Sequence, residues 1–172
     1  HPDPSVDRRS GLLQPRLNNS NVLGSSLNIP YFHVISENKD WTINPTVYSK
    51  DIRLIQNEYR QENKNSSFIA DFGFANGFKS SEVNERKNIN HFFAQFKKKF
   101  ENIDFNLFVD AANLWHVDYN SSLDSNKIRS ATGLSVNWFT PIGPLSFSYA
   151  TPLSKANSDK TETFRFQIGT SF

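Results

Sequence analysis

His91, Asp71 and Asp110 are the residues of this 172-residue chain whose types could carry acid–base chemistry. An imidazole that titrates near neutrality beside carboxylates is a minimum kit for hydrolysis. No recognisable nucleophile or paired-carboxylate motif accompanies them, so the chain does not read as an enzyme. His1 and His33 lack the spacing of metal ligands, and neither a metal nor a cofactor is expected. There are no cysteines, so a disulfide framework and a cysteine-based metal site are both excluded. The run Lys97-Lys98-Lys99 could hold anionic headgroups, but a basic strand end more often serves as a solvated or snorkelling cluster. Trp41, Trp115 and Trp138 fall near strand ends and fit an interfacial girdle better than binding platforms.

The elements that would position these residues are strands. Along the last twelve residues Phe164, Phe166, Ile168, Thr170 and Phe172 share one parity, and Arg165, Gln167, Gly169 and Ser171 share the other. Successive side chains of a strand point to opposite faces, so this segment has one apolar and one wet face. A terminal aromatic after such alternation fits the closing strand of an outer-membrane barrel. Phe164, Phe166, Ile168 and Phe172 are therefore expected to form a C-terminal assembly signal.

Composition narrows the class. Hydrophobic content is 37% and mean hydropathy −0.57, values that suit a soluble protein and equally a barrel whose interior and loop residues dilute its lipid face. Aromatic content is 14%, with 16 Phe, which a lipid-facing band with girdles explains better than loops do. No apolar run approaches the length of a helical span. A net charge of +2, scattered along the chain, gives no case for nucleic acid. The chain begins at His1 without Met and is expected to be a processed or excised piece, with any export signal out of view.

The turn-rich, charged stretch 1–10 reads as a lead-in. Leu13, Pro15 and Leu17 then alternate with Gln14 and Arg16, and Leu23, Ser25, Leu27, Ile29 and Tyr31 make a second strand. Proline has no N–H to donate, so Pro15 and Pro30 weaken both. Later strands are centred on Trp41–Tyr48, Ile55–Arg60, Phe68–Phe74, His91–Phe100, Ile103–Ala111, Gly133–Phe139, Phe147–Leu153 and Phe164–Phe172. The total is about ten, each near the length that crosses a bilayer on a tilt. Connections after the even-numbered strands are short, while Lys79–Lys87 and His116–Arg129 are long. Short periplasmic turns and long outer loops put both termini in the periplasm.

Two resemblances sit on particular motifs. His1-Pro-Asp-Pro-Ser-Val6, Arg9-Ser-Gly-Leu-Leu-Gln-Pro15, Leu27-Asn-Ile-Pro-Tyr31 and Asn44-Pro-Thr-Val-Tyr-Ser-Lys50 resemble the start of the barrel in the lipopolysaccharide-assembly outer-membrane family, also called the organic-solvent-tolerance family. Phe108-Val-Asp-Ala-Ala-Asn-Leu-Trp115, Trp138-Phe-Thr-Pro-Ile-Gly-Pro-Leu-Ser-Phe147, Tyr149-Ala-Thr-Pro-Leu153 and Phe164–Phe172 are similar to the last strands of the bacterial surface antigen family, the central barrel of the outer-membrane assembly machinery. The first resemblance covers residues 1–75 and the second 108–172, with 76–107 unassigned. The first implies lipopolysaccharide insertion and lipopolysaccharide as a partner. The second implies folding of other barrels. Each comes from a family with a larger barrel or accessory domains, so neither full activity is expected here.

The expectation is one all-β domain over residues 1–172: a transmembrane antiparallel up-and-down β-barrel of about ten strands in the Gram-negative outer membrane. It is a hybrid of the two families whose property is insertion and folding. Its partners are outer-membrane lipids and, during insertion, the barrel assembly machinery. Phe105, Leu107, Leu134, Val136, Phe147, Tyr149, Phe164 and Phe166 are expected to face lipid. Leu13, Pro15, Pro30 and Ile168 are expected to mark a weak seam between first and last strands. The alternatives are a small pore or transporter, which needs a free interior; a barrel enzyme, which needs converging carboxylates; and a soluble sandwich, which would fold without detergent.

Overall fold

The computed structural model describes residues 8–21, 23–78, 87–114, 125–141, 143–157 and 159–169. Among these the chain is all-β. Its strands are β1 (Gly11–Leu12), β2 (Arg16–Ser20), β3 (Gly24–Asn28), β4 (Tyr31–Ser36), β5 (Lys39–Tyr48), β6 (Arg53–Asn63), β7 (Ser66–Phe78), β8 (Lys87–Lys99), β9 (Ile103–Leu114), β10 (Ser125–Thr140), β11 (Gly143–Ser154) and β12 (Phe164–Ile168). The order β1-β4-β5-β6-β7-β8-β9-β10-β11-β12 is up-and-down, with β2 on β3 and β3 on β5. This is the antiparallel architecture of transmembrane barrels.

The twelve segments reduce to the expected count because proline splits one hairpin. β1 pairs with β4 through Gly11↔Phe32 and Leu12↔Tyr31, and β2 pairs with β3 from Arg16↔Asn28 to Ser20↔Gly24. The register slips by one residue between the two ladders, where Pro15 and Pro30 interrupt the arms. The Leu13 N–H donates to the Pro30 carbonyl at 2.8 Å across the gap. β3 and β4 then meet β5 in one register from Ser26↔Tyr48 to Val34↔Asp40, which shifts only beyond Val34, so they are one strand with a proline in it.

The chain divides into two units, His1–Gln61 with Asp71–Asn90 and Glu62–Ala70 with His91–Phe172. In the first, register puts Leu17, Leu27, Tyr31, Ile43, Trp41, Val47, Ile55 and Tyr59 on one face. Ser26, Asn28, Asp40, Thr42, Asn44, Thr46, Gln56 and Arg60 lie on the other. The polar face is the paired one: the Asn28 carboxamide donates to Asn44 Oδ1 at 2.6 Å, the Pro45 carbonyl at 3.0 Å and Thr46 Oγ1 at 2.8 Å.

Burial is inverted relative to a protein folded in water. Among the described residues Ile52 is the buried hydrophobic side chain, whereas Ser26, Asn28, Asp40, Thr46, Asn57 and Asn113 are buried polar ones. Leu17 is 81% exposed, Ile168 68% and Phe164 60%.

The long connections differ in one respect from expectation. Residues 79–86 and 115–124 lie outside the described set, but β10 begins at Ser125, inside the stretch read as loop to Arg129. Its first residues are polar and show no alternation, so sequence reads them as loop. β9 nevertheless supplies ladder partners, at the cost of a register shift between Ser125 and Arg129.

Candidate membrane-facing surface and polar clusters

In the second unit, strand register decides which side chains share a face. Opposite residues of an antiparallel pair point the same way. Phe96 meets Leu107 and Lys98 meets Phe105. Leu107 meets Leu134, Phe105 meets Val136 and Ile103 meets Trp138. Tyr149 meets Leu134 and Phe147 meets Val136, while Phe164 meets Tyr149 and Phe166 meets Phe147. Phe105, Leu107, Leu134, Val136, Phe147, Tyr149, Phe164 and Phe166 thus form rows on one face of the four consecutive strands β9 to β12. The rings of Phe147 and Phe166 lie 4.8 Å apart. Phe105 and Val136 are half-buried and the other six exposed.

The opposite face carries Gln95, Lys97, Lys99, Asp104, Asn106, Ser135 and Asn137. Gln95, Lys97, Lys99, Asp104, Asn106 and Asn137, joined by Lys98 and Phe105 from the other parity, line a cavity of about 350 Å³, and the Asn106 carboxamide donates to Ser135 Oγ at 3.3 Å. The residues first singled out for chemistry fall in both units. His91 and Asp110 line a cavity with Arg129 and Asp159 in the second unit. Asp71 lines another in the first, with Thr42, Asn44, Gln56 and Glu58. His33 Nδ1 lies 3.4 Å from Ser10 Oγ, and His1 is outside the described residues. Among the described residues no group of three potential metal ligands converges.

Two ionic clusters escaped the sequence reading. Asp40, 5% exposed, accepts from Arg8 and, at 2.9 Å, from Arg60 Nε. Arg60 also reaches Glu58 Oε1 at 3.3 Å. Arg8 further donates to the Glu37 carbonyl at 2.9 Å and sits 5.5 Å from the Phe32 ring centre. The available signal was parity: Asp40 and Arg60 both fall on the wet side, but only the β5–β6 register makes them opposite. In the second cluster Asp159 accepts from Arg129 Nε at 2.9 Å and from the Ala156 N–H at 2.8 Å. The Ala156 hydrogen bond, with help from Arg129, holds the Asp159 carboxyl below the usual aspartate value against a partial desolvation cost. Arg165, on the wet parity of β12, pairs with Glu162 three residues earlier at 2.5 Å.

Of the expected seam residues, Leu13 and Pro15 lie between β1 and β2, Pro30 lies between β3 and β4, and Ile168 is opposite Leu145 in β12. Phe172 of the expected assembly signal lies outside the described residues, as does Trp115.

An apolar exposed face, a polar paired face and up-and-down antiparallel order are features shared with known outer-membrane proteins. Residues 89–172 match the Omp85 superfamily domain. The Omp85 match begins inside β8, ahead of the motif at Phe108 that first suggested it. The outer membrane protein assembly factor BamA of Neisseria meningitidis serogroup B is 33% identical over 97 residues, covering 44% of this chain and 12% of BamA. The LPS-assembly protein LptD of Legionella pneumophila (strain Lens) is 29% identical over 132 residues, covering 77% of this chain and 14% of LptD. LptD of Nitrosomonas europaea is 25% identical over 125 residues, 72% of this chain and 15% of that protein. A crystal structure of Haemophilus ducreyi BamA lacking POTRA domains 1–3 aligns with TM-score 0.46 and 16% identity over 83% of this chain and 41% of BamA. The chain therefore spans 12–15% of the length of these curated relatives. It is related to outer-membrane β-barrels of both kinds. The LptD match over 77% of the chain and the Omp85 match over residues 89–172 cannot be disjoint, so the two likenesses share strands.

Proposed function

We propose that this chain is a β-barrel wall of the Gram-negative outer membrane, a hybrid of LptD-like and BamA-like strands, whose property is to insert and fold in lipid. The observation that carries this is the inversion of burial. A face bearing Leu107, Leu134, Phe147, Phe164 and Phe166 is open to its surroundings, while Asp40, Asn28 and Thr46 are covered and hydrogen-bonded. Water penalises the first arrangement and hydrocarbon favours it. In this reading the eight residues aligned across β9 to β12 face lipid, and Trp41 and Trp138, near the short-turn ends of their strands, belong to the interfacial girdle.

Closure follows from the same physics. An open strand edge in lipid leaves backbone groups that water cannot satisfy, so the first strand pairs with β12 in the membrane. The interruptions at Pro15 and Pro30 make that junction, between Leu13 and Ile168, a weak seam. Phe164, Phe166, Ile168 and Phe172 serve as the signal for the barrel assembly machinery. Outer-membrane lipid, including lipopolysaccharide, is the surrounding partner. By itself the chain carries out neither full lipopolysaccharide insertion nor full assembly of other barrels, because it spans only 12–15% of the relatives it matches.

The test is refolding from denaturant into lipid vesicles, followed by circular dichroism and gel migration with and without heating. A β-rich, heat-modifiable species is expected with lipid, and aggregation without it. A monodisperse β-protein in detergent-free buffer would overturn the proposal in favour of a soluble sandwich.

A further inference from the structure

At the short-turn end of the second unit lies an open surface depression of about 650 Å³ lined by Asn65, Lys98, Lys99, Phe100, Glu101, Asn102, Ile103 and Trp138. Its frame is fixed by backbone hydrogen bonds. The Lys99 N–H donates to the Asn65 carbonyl, the Phe100 N–H to Ile103 and the Phe139 N–H to Asn102, each at 2.8 Å. Lys98 is the anomaly. It stands directly opposite Phe105, on the face otherwise built from Phe96, Ile103, Leu107 and Trp138. Its neighbours Lys97 and Lys99 point to the polar face, opposite Asn106 and Asp104. An ammonium among aromatic and aliphatic side chains is costly in hydrocarbon unless it reaches a counter-charge at the membrane surface.

We propose that this depression binds the headgroup of a singly anionic glycerophospholipid in the leaflet at the short-turn end. The inference rests on the chain being inserted in a membrane, as argued above. Lys98 from the apolar parity and Lys99 from the polar parity both border the site at the strand end, where they outnumber the one carboxylate, Glu101, and the lipid phosphodiester neutralises the excess. Asn65 and Asn102 also line the site, and a carboxamide can donate to and accept from headgroup hydroxyls such as those of phosphatidylglycerol. Ile103, Phe100 and the exposed ring of Trp138 form the apolar lip along which the acyl chains leave. Trp138 is placed for this because its indole joins an apolar body to a single N–H donor.

The test uses the full chain with Trp41→Phe and Trp115→Phe, so that Trp138 alone fluoresces, refolded into phosphatidylcholine vesicles. A minor fraction of lipid carries brominated acyl chains on either phosphatidylglycerol or phosphatidylcholine. Brominated phosphatidylglycerol should quench Trp138 severalfold more than brominated phosphatidylcholine at equal mole fraction. Lys98→Gln should abolish that difference, and Lys97→Gln should retain it. Lys98→Met, which keeps the stem, replaces Lys98→Gln if the latter fails to insert. Equal quenching by the two lipids, or a difference that survives loss of the Lys98 charge, overturns the site while leaving membrane insertion intact. No quenching by either lipid, with no heat-modifiable band, overturns insertion and the site with it. Excess inorganic phosphate should leave the difference unchanged, and its loss would assign the depression to a free anion instead.

Discussion

The ring of Phe108 lies directly over Gly133. The two residues are opposite each other in the β9–β10 ladder, and a Cβ built on Gly133 would fall 2.5 Å from Phe108 Cζ and 2.6 Å from the Tyr149 carbonyl oxygen. The glycine leaves the space that the edge of an aromatic ring on the polar parity occupies. Gly133→Ala must push the ring away or separate β10 from β11. Overpacking of this kind costs about 1–3 kcal/mol. Urea unfolding of the refolded protein should register that loss, and adding Phe108→Ala to Gly133→Ala should recover part of it.

The lipid-face assignment predicts opposite responses at neighbouring positions. Phe166→Arg should lower stability in vesicles by about 2–4 kcal/mol if it sits mid-membrane, with a smaller effect near the interface. Gln167→Leu, on the other parity, should refold with little loss. A well-folded Phe166→Arg beside a misfolded Gln167→Leu would mean that the faces are reversed.

Asp40 joins the segment before β1 to the β5–β6 hairpin by accepting from both Arg8 and Arg60. Asp40→Ala leaves two guanidinium groups without their shared acceptor, although Arg60 keeps Glu58. The expected cost is about 1–3 kcal/mol, since a buried acceptor is lost and its donors are partly solvated. Trypsin should then cut after Arg8 and Arg9 faster than in the parent, with Asp40→Asn intermediate.

The Asp159 cluster predicts an acid-sensitive connection between β11 and β12. Its folded carboxyl titrates below the ordinary aspartate value because the Ala156 N–H and Arg129 favour the anion. The contribution is complete above the unfolded value of about 3.9 and disappears as pH falls through the lower folded value. Amide exchange at Ala156 should accelerate in that acid window, relative to the intrinsic rate. Asp159→Asn should show the faster exchange already at neutral pH.

The proposed seam predicts unequal gains from crosslinking. Leu13→Cys with Ile168→Cys, oxidised after refolding, should raise the temperature at which the compact gel band is lost. A crosslink placed between β10 and β11, at Val136→Cys with Phe147→Cys, should add little, because that ladder is continuous from Ala131↔Pro152 to Thr140↔Gly143. Equal gains from both crosslinks would remove the case for a weak junction.

Local geometry made much of this fold legible in the chain itself. Period-two alternation is a property of each strand alone, so Phe164, Phe166 and Ile168 could be assigned to one face before any partner strand was known. Turn chemistry is equally local at Lys64-Asn65, which links β6 to β7, whereas the second strand, read as ending at Tyr31, continues as β4 to Ser36 and turns at Glu37-Asn38. Pairing is not local. Asp40 and Arg60 are twenty residues apart, and Arg8 lies thirty-two before Asp40. Nothing short of the β5–β6 register brings the first two together. The same holds for Phe108, whose place on the wet parity reads as an exception until the ladder sets Gly133 beneath it. At Pro15 and Pro30 sequence identified the missing donors, but the tertiary structure decided that the two gaps face each other and share one bulge. Parity follows from the covalent chain. Register follows from which strand lies alongside, and it alone converts two alternating patterns into an apolar surface and a set of paired charges.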